Sequence, residues 1–372
     1  MSRSRSSLRR LVAAGGAAAL ALTLAGCGGG GGGGGGGSAG GLSGTLPGAG
    51  ASSQEKAMNG WLAGFQEQHA GVKASYDPVG SGTGREQFLN GAVLFAGSDK
   101  AMSTDEVARA KQRCSGSEAL ELPVYISPIA IAYNLPGLSA QHLNLTPPTL
   151  AKIFNGDIKT WNDPAIAADN AGVQLPSTAI VPVNRSDNSG TTENFTEYLA
   201  KAAGGAWPHE PSEKWPLQGT QSGAQTSGVV QTLQGSEGTI AYLDASQVPK
   251  GMGTVAVEVG GEFVPYSPQA AAAVVDASPA APDATDLRLT IDIARDTTQA
   301  GAYPVVLVSY EIACSTYDKA QDADNVKALL TYIASPEGQD RAADPSVAGS
   351  APITDSLRQK VDAAINQISG KA

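Results

Sequence analysis

Cysteine, histidine and aromatic residues are scarce in this sequence: three Cys, three His and 5% Phe, Trp and Tyr among 372 residues. His69, His142 and His209 are scattered and share no ligand spacing, which argues against a zinc site. No repeat of fixed period appears, which sets aside repeat architectures. Beyond residue 24 no segment is apolar enough to span a bilayer. Positive charge is also in deficit. Lys and Arg number 25 against 35 Asp and Glu. Four of the arginines precede residue 27, where there is no acid, so the remainder carries 21 against 35, a net charge of −14. A body so acidic argues against nucleic acid and anionic lipid as partners. Any anion it binds must be held by local hydrogen bonds, against the overall field.

The N-terminus is different. Arg3, Arg5, Arg9 and Arg10 form a positive region, and Leu11 to Leu24 form an apolar run rich in Ala and Leu. The run falls short of the ~20 residues of a comfortable membrane span and ends in small residues, as a secretory signal does. Leu24-Ala25-Gly26-Cys27 resembles a bacterial lipobox. The resemblance implies a signal peptide over 1–26 and a lipid on Cys27; a plain signal with an incidental Cys is the alternative. Arg9-Arg10 leaves twin-arginine export open. Gly28 to Gly37 run without interruption and Ser38 to Gly44 continue the small-residue composition. Such a chain behaves as a flexible coil, so 27–45 reads as anchor and tether. With Cys27 so assigned, Cys114 and Cys314 remain as a pair in an oxidising compartment, either as a disulfide or as two buried thiols.

From Leu46 onward roughly 330 residues remain, enough for two lobes with separate cores. Ala57, Trp61, Leu62 and Phe65 recur at helical spacing, whereas Val72, Ala74 and Tyr76 alternate as in a strand. Thr104 to Arg113 reads as a helix, and helical faces recur at Leu150, Ile153 and Phe154, at Phe195, Tyr198 and Leu199, and at Val229, Val230 and Leu233. Leu357, Val361, Ala364, Ile365 and Ile368 form a last one. Ala179 to Val183 and Tyr303 to Ile312 read as strands, and Leu122 to Asn134 as a β-rich stretch broken by Pro128. Pro265 to Asp286 reads as loops around one helix. Strand–helix alternation over this length indicates α/β sheets covered by helices.

The segment richest in chemistry is Val183-Asn184-Arg185-Ser186-Asp187-Asn188-Ser189-Gly190-Thr191-Thr192, between a strand and a helix. Ser189 or Thr191 can cap that helix, whose free backbone N–H groups and positive dipole end make an anion cradle. Gly190 lets the main chain approach a ligand closely. Arg185 supplies a planar, permanently charged fork for two oxygens, and Asp187 is placed to hold it. Gly80-Ser81-Gly82-Thr83-Gly84 repeats the cradle logic; it is neither a Walker loop nor a dinucleotide fingerprint. Gly48-Ala49-Gly50-Ala51-Ser52-Ser53 opens the first helix, and Gly97-Ser98-Asp99 precedes the helix at Thr104. Alone, each of these strings is an ordinary turn or helix cap.

Their order along the chain resembles the phosphate-binding proteins of bacterial phosphate ABC importers. The landmarks are Leu46-Pro47-Gly48-Ala49-Gly50-Ala51, Tyr76 to Gly84, and Phe95-Ala96-Gly97-Ser98-Asp99. Leu150 to Ile158, Trp161-Asn162-Asp163 and Arg185 to Thr191 complete the set. The resemblance implies a two-lobe periplasmic-binding-protein (type II) α/β fold with a hinged cleft. Lobe 1 would be 46–125 plus 303–372 and lobe 2 would be 126–302, with Cys114 and Cys314 both in lobe 1. It implies that Ser52, the backbone of Ser53, Ser81, Asp99, Arg185, Ser189, Gly190 and Thr191 bind phosphate, with Asp187 supporting Arg185. The family often has Thr-Phe where this chain has Ser52-Ser53, and the position before Arg185, here Asn184, can be basic. It further implies a monomeric, extracytoplasmic lipoprotein that is not an enzyme, needs no cofactor or metal, and hands phosphate to a membrane permease.

Asp99 looks misplaced beside an anion unless the ligand has a proton to donate, as HPO₄²⁻ and H₂PO₄⁻ do. Sulfate near neutral pH would set its lone pairs against those of the carboxylate, so Asp99 argues against sulfate, molybdate or tungstate. Two further alternatives are enzymes. Ser53-Gln54-Glu55-Lys56 matches S-x-x-K and Ser186-Asp187-Asn188 matches S-D-N, as in penicillin-recognising serine acyl-enzymes, but the companion Lys-Thr-Gly is missing. A phosphatase on this scaffold finds no metal cluster or nucleophile–base pair to support it.

Overall fold

A computed structural model describes residues 41–138 and 142–371. The expected signal peptide, Cys27 with its expected lipid, and most of the expected glycine tether lie outside the described residues. The strands are β1 Gly44–Gly50, β2 Val72–Asp77, β3 Phe95–Ser98, β4 Ala119–Tyr133, β5 His142–Leu145, β6 Val181–Arg185, β7 Gln221–Gly223, β8 Thr239–Asp244, β9 Gly253–Val259, β10 Glu262–Pro265, β11 Val306–Cys314, β12 Thr316–Tyr317 and β13 Ser369–Gly370. The helices are α1 Glu55–Gln68, α2 Ser81–Leu89, α3 Thr104–Arg113, α4 Pro147–Asn155, α5 Pro164–Asp169, α6 Gly190–Ala202, α7 Gln225–Gly235, α8 Pro268–Ala277, α9 Ala320–Ala334, α10 Pro336–Ala343 and α11 Asp355–Ile365.

Eight strands follow one path, β2-β1-β3-β11-β4-β8-β6-β7, with β9 joined to β4 and carrying β5 and β10. The path has two halves of similar construction. In one, β2, β1 and β3 are parallel; in the other, β8, β6 and β7 are parallel. Between them β11 and β4 run antiparallel, and β4 is the shared member. Its residues 119–128 pair with β11, and from Ile129 to Tyr133 it pairs with β8. Every residue of β4 and β11 is buried. Full burial on both faces explains their near-continuous apolar reading.

The reading of a β stretch broken at Pro128 needs correction: β4 passes through both Pro123 and Pro128 without ending. Proline lacks the ladder N–H and is tolerated in a sheet at irregularities. Pro123 stands at the register shift opposite Ser309 and Tyr310, and Pro128 is the last partner of β11 before β4 passes to β8.

Local signals set the helix ends. Ser103 and Glu106 form a reciprocal capping box at α3. Thr146 caps α4 with Pro147 in its first turn, and Gly156 ends that helix at φ 83°. Trp61, Phe65, Tyr125 and Leu329 lie in the core under β2–β1–β3, and Phe154, Phe195, Trp215 and Tyr242 form an aromatic cluster under β6 and β8. Cys114 and Cys314 form a disulfide with Cα atoms 5.2 Å apart. It ties the end of α3 to the end of β11, within the β2–β1–β3–β11 half. No helix among the described residues is long and apolar enough to cross a membrane.

Candidate functional site

In each half, helices follow the C-terminal ends of parallel strands, which is where ligands sit in open α/β sheets. β1 leads to α1, β2 to α2, β6 to α6 and β7 to α7, so four helix N-termini converge on the junction between the halves. Ser189 is the cap of α6 and accepts from the Thr192 N–H; the alternative cap, Thr191, lies within the first turn. Gly80, at φ 96°, precedes α2.

The segments touch closely enough that glycine is required at two positions. A Cβ on Gly190 would lie 2.8 Å from both Asp99 Cβ and Ser81 Oγ. Gly80 is equally confined, since its Cβ would meet Asp187 Oδ2 at 2.6 Å. The structure therefore brings Ser81, Asp99, Arg185, Asp187 and Gly190 into one cluster, with Ser53 and Thr191 bonded to Asp99. All of these but Asp187 are buried, and Asp187 is intermediate.

Asp99 stands at the centre. Ser53 Oγ lies 2.7 Å from each carboxylate oxygen and Thr191 Oγ1 donates to Oδ2 at 2.8 Å. The Asp99 N–H donates to Ser81 Oγ at 3.2 Å, and its C=O accepts from Asn194 Nδ2 at 2.7 Å. Burial raises its pKa, opposed by the hydroxyl hydrogen bonds and the charge of Arg185. A carboxylate has about four lone-pair sites, so these two hydroxyl donors leave capacity for at least one more.

Arg185 is held as the sequence suggested. Its Nε donates to Asp187 Oδ1 at 2.8 Å and its Nη2 to Oδ2 at 2.5 Å, a bidentate fork. Burial works against the charge on Asp187, but the hydrogen bonds and charge of Arg185 outweigh it and hold the carboxyl below its ordinary value. Asp187 also accepts the Gln225 N–H at 2.9 Å. Gln225 itself sits at φ 58°, so α7 begins from a left-handed residue fastened to the ion pair.

Ser52 is placed differently from the others. Its Oγ accepts from the Thr226 N–H and lies 3.0 Å from Thr226 Oγ1, so it is engaged with the start of α7. Gln247 Nε2 donates to the carbonyls of Ser52 and Ser53 at 2.7 and 3.1 Å. The S-x-x-K reading finds no Ser–Lys pair: Ser53 Oγ is bonded to Asp99, and Lys56 Nζ donates to the Ser246 carbonyl. In the S-D-N string, Asp187 is committed to Arg185. Among the described residues no group of three or more His, Cys, Asp or Glu is arranged to hold a metal.

Sequence reasoning missed two buried acids beside the cluster. Asp244, at the end of β8, accepts from Tyr125 Oη at 3.2 Å and from the Ser246 N–H at 2.9 Å. Burial pushes its pKa up to about 6, against hydrogen bonds from Ser246 and Ser127, and the negative charge of Asp99 adds to the rise. Glu311, in register with Gly97 across β3 and β11, is wholly buried, and burial pushes its carboxyl well above the ordinary range. The signal for Glu311 was present: an acid within an otherwise apolar, strand-like run.

Residues 37–337 match the model of a PBP superfamily domain. Solved structures share the two-lobed α/β fold. One is a subatomic-resolution structure of a high affinity periplasmic phosphate-binding protein bound with phosphate, with a TM-score of 0.68 at 22% identity over 86% of this chain and 93% of that one. Another is a phosphate binding protein from Stenotrophomonas maltophilia, with a TM-score of 0.63 at 19% identity over 86% and 94%. Sequence relatives narrow the class. Phosphate-binding protein PstS2 of Mycobacterium bovis (strain BCG / Pasteur 1173P2) is 39% identical over 346 residues, 89% of this chain and 91% of its own. Phosphate-binding protein PstS 3 of Mycobacterium leprae (strain TN) is 38% identical over 87% of each. The chain belongs to this family of phosphate-binding proteins.

Proposed function

We propose that the chain binds inorganic phosphate outside the cytoplasm and delivers it to the membrane permease of an ABC importer, acting as a binding protein and not as an enzyme. The observation that carries the reading is Asp99. A buried carboxyl with spare acceptor capacity lies among helix N-termini and beside a fixed guanidinium. Such a site attracts an oxyanion and at the same time demands that the oxyanion bring a proton. Phosphate does; sulfate, molybdate and tungstate do not near neutral pH. Sites that require a hydrogen bond the wrong ligand cannot make discriminate by ~10⁴ or more.

In this reading Arg185 supplies the charge, with Asp187 fixing it. The backbone of Ser189, Gly190 and Thr191 and the hydroxyls of Ser189 and Thr191, with Ser81, Ser52 and the Ser53 backbone, complete the oxygen contacts. Lobe 1 is 46–125 plus 303–372, lobe 2 is 126–302, and they close on the ligand about the crossing strands. The full-length protein is a monomer held to the outer face of the membrane by a lipid on Cys27. The test is calorimetric titration of the protein with phosphate, sulfate and arsenate. Phosphate should bind tightly, arsenate should compete and sulfate should not. Sulfate binding as tight as phosphate would defeat the reading. Loss of membrane retention in Cys27→Ala, with phosphate binding intact, tests the anchor.

A further inference from the structure

One guanidinium outside the anion contacts joins almost every part of the site. Arg85, in the second turn of α2, has a side chain only 3% exposed. Its Nε donates to Glu106 at 2.9 Å and its Nη1 to Ser98 Oγ at 2.9 Å. Its Nη1 and Nη2 also grip the two carboxylate oxygens of Glu213, at 3.1 and 2.7 Å. Two of these partners, Ser98 and Glu213, lead to the ligand cluster. Ser98 Oγ donates to the Lys100 carbonyl and accepts from its N–H, closing the turn that presents Asp99. The Glu213 carbonyl accepts from the N–H of Ser189, the cap of α6. Beside Glu213, the Ser212 N–H donates to Thr196 Oγ1, binding the same segment to α6.

Glu106, Ser98 and α2 belong with the β2–β1–β3 half, whereas Glu213 is strapped to α6 in the other. We propose that the Arg85–Glu213 pair is the latch that holds the two halves shut over bound phosphate and sets the rate at which phosphate leaves. The inference rests on the phosphate-clamp reading given above.

Two features make the pair a latch rather than a permanent weld. A buried charge stripped of its partner is very costly, but when the halves part Arg85 keeps Glu106 and Ser98 on its own side. Glu213, 15% exposed, lies near the rim and returns readily to water. Burial opposes the charge on Arg85, yet the hydrogen bonds and charge of Glu213, followed by those of Glu106, raise its pKa, so the guanidinium stays charged throughout. A second ion pair, Lys100 Nζ to Glu193 at 2.9 Å, joins the Asp99 turn to α6 beside it. Across the site the Ser52–Thr226 and Gln247 contacts are neutral, and the Lys56 ammonium beside them donates to a carbonyl, that of Ser246, and not to a carboxylate. Pairs of opposite charge therefore tie the halves on the Arg85 flank, and an ion pair near a rim is screened by salt.

The experiment is rapid-mixing measurement of phosphate association and release on the full-length chain, at low and high salt. The variants are Glu213→Gln, which keeps shape and loses charge, and Glu213→Asp, which keeps charge and loses reach. Neither alters the main-chain bond to Ser189. Both should speed release about tenfold while changing association no more than about threefold, and Glu213→Gln should flatten the rise of the release rate with salt. A thermal melt of each unliganded variant matching wild type separates this from general damage; if Glu213→Gln folds poorly, Glu213→Asp carries the test. Release at the wild-type rate in a folded variant, or a salt dependence as steep as that of wild type in Glu213→Gln, overturns the latch alone. Wild-type protein that takes up no phosphate overturns the underlying reading and the latch with it.

Discussion

The two walls that meet at the site are built from the same parts and do different work. Each has three parallel strands whose C-terminal ends lead into helices. The β6–β8 wall contributes Arg185, already satisfied on one edge by Asp187, and the first turn of α6. The β1–β3 wall contributes Asp99, ringed by hydroxyls. In the proposed function, one wall brings attraction that any oxyanion would feel, and the other imposes a condition that only a protonated oxyanion meets. In a chain of net charge −14 after its first 26 residues, this division has a physical rationale. The overall field repels anions, so recognition depends on short-range groups fixed before the ligand arrives.

The sharpest way to break this comparison is to weaken the attracting wall. Arg185→Lys retains a charge but loses the fork held by Asp187, and a buried pair so disturbed costs roughly 3 kcal/mol. Phosphate affinity should fall about a hundredfold, and affinity for any other oxyanion that the site admits should fall with it. Calorimetry on the variant checks this; near-wild-type affinity would take Arg185 out of the site.

Asp244, the buried acid at the end of β8, probes the attracting wall through stability. Its pKa is raised to about 6 from an ordinary 3.8, so the fold favours its neutral form. The stabilisation this gives is fully present below pH 4 and is lost as pH rises through about 6. Asp244→Asn removes that loss. The variant should gain on wild type by about 2 kcal/mol between pH 4 and pH 7, less than the full shift at 1.36 kcal/mol per unit because Asp99 titrates nearby. Denaturant melts at the two pH values measure it, and parallel curves would mean that Asp244 is ionised at no cost.

Asp99→Asn should alter selection more than affinity. The amide can turn its N–H₂ toward a fully ionised oxyanion, so sulfate should gain on phosphate by about tenfold, near 1.4 kcal/mol. Equal phosphate-to-sulfate ratios in wild type and variant would remove Asp99 from the selectivity argument. Thr226→Val should have the smallest effect. It deletes one neutral hydroxyl contact to Ser52 and leaves the Thr226 N–H bond in place. Phosphate affinity should weaken by about 1 kcal/mol or less, with no change in its salt dependence. A salt-sensitive defect there would blur the distinction between the neutral and ionic flanks.

Much of this protein was legible in one dimension because its information is local. The span of α3 from Thr104 to Arg113, the capped start of α6, the glycines that open α2, and the fork between Arg185 and Asp187 two residues on all depend on neighbours in sequence. Helix faces such as Trp61–Phe65 and Phe195–Leu199 followed from period alone. Pro128 misled for the opposite reason. Its tolerance inside β4 depends on where one distant partner, β11, gives way to another, β8, and no window around residue 128 contains that fact. The same holds for Arg85, whose sequence neighbours are ordinary helix residues while its carboxylate partner Glu213 lies 128 positions away. By itself the sequence determined the charge balance, the helix starts and the residue types an oxyanion needs. Only the tertiary structure decided that Ser53 and Thr191 converge on Asp99, that Ser52 faces Thr226, and that Asp244 and Glu311 are buried beside them. Burial and long-range pairing set those energies, and neither is a property of a residue and its neighbours along the chain.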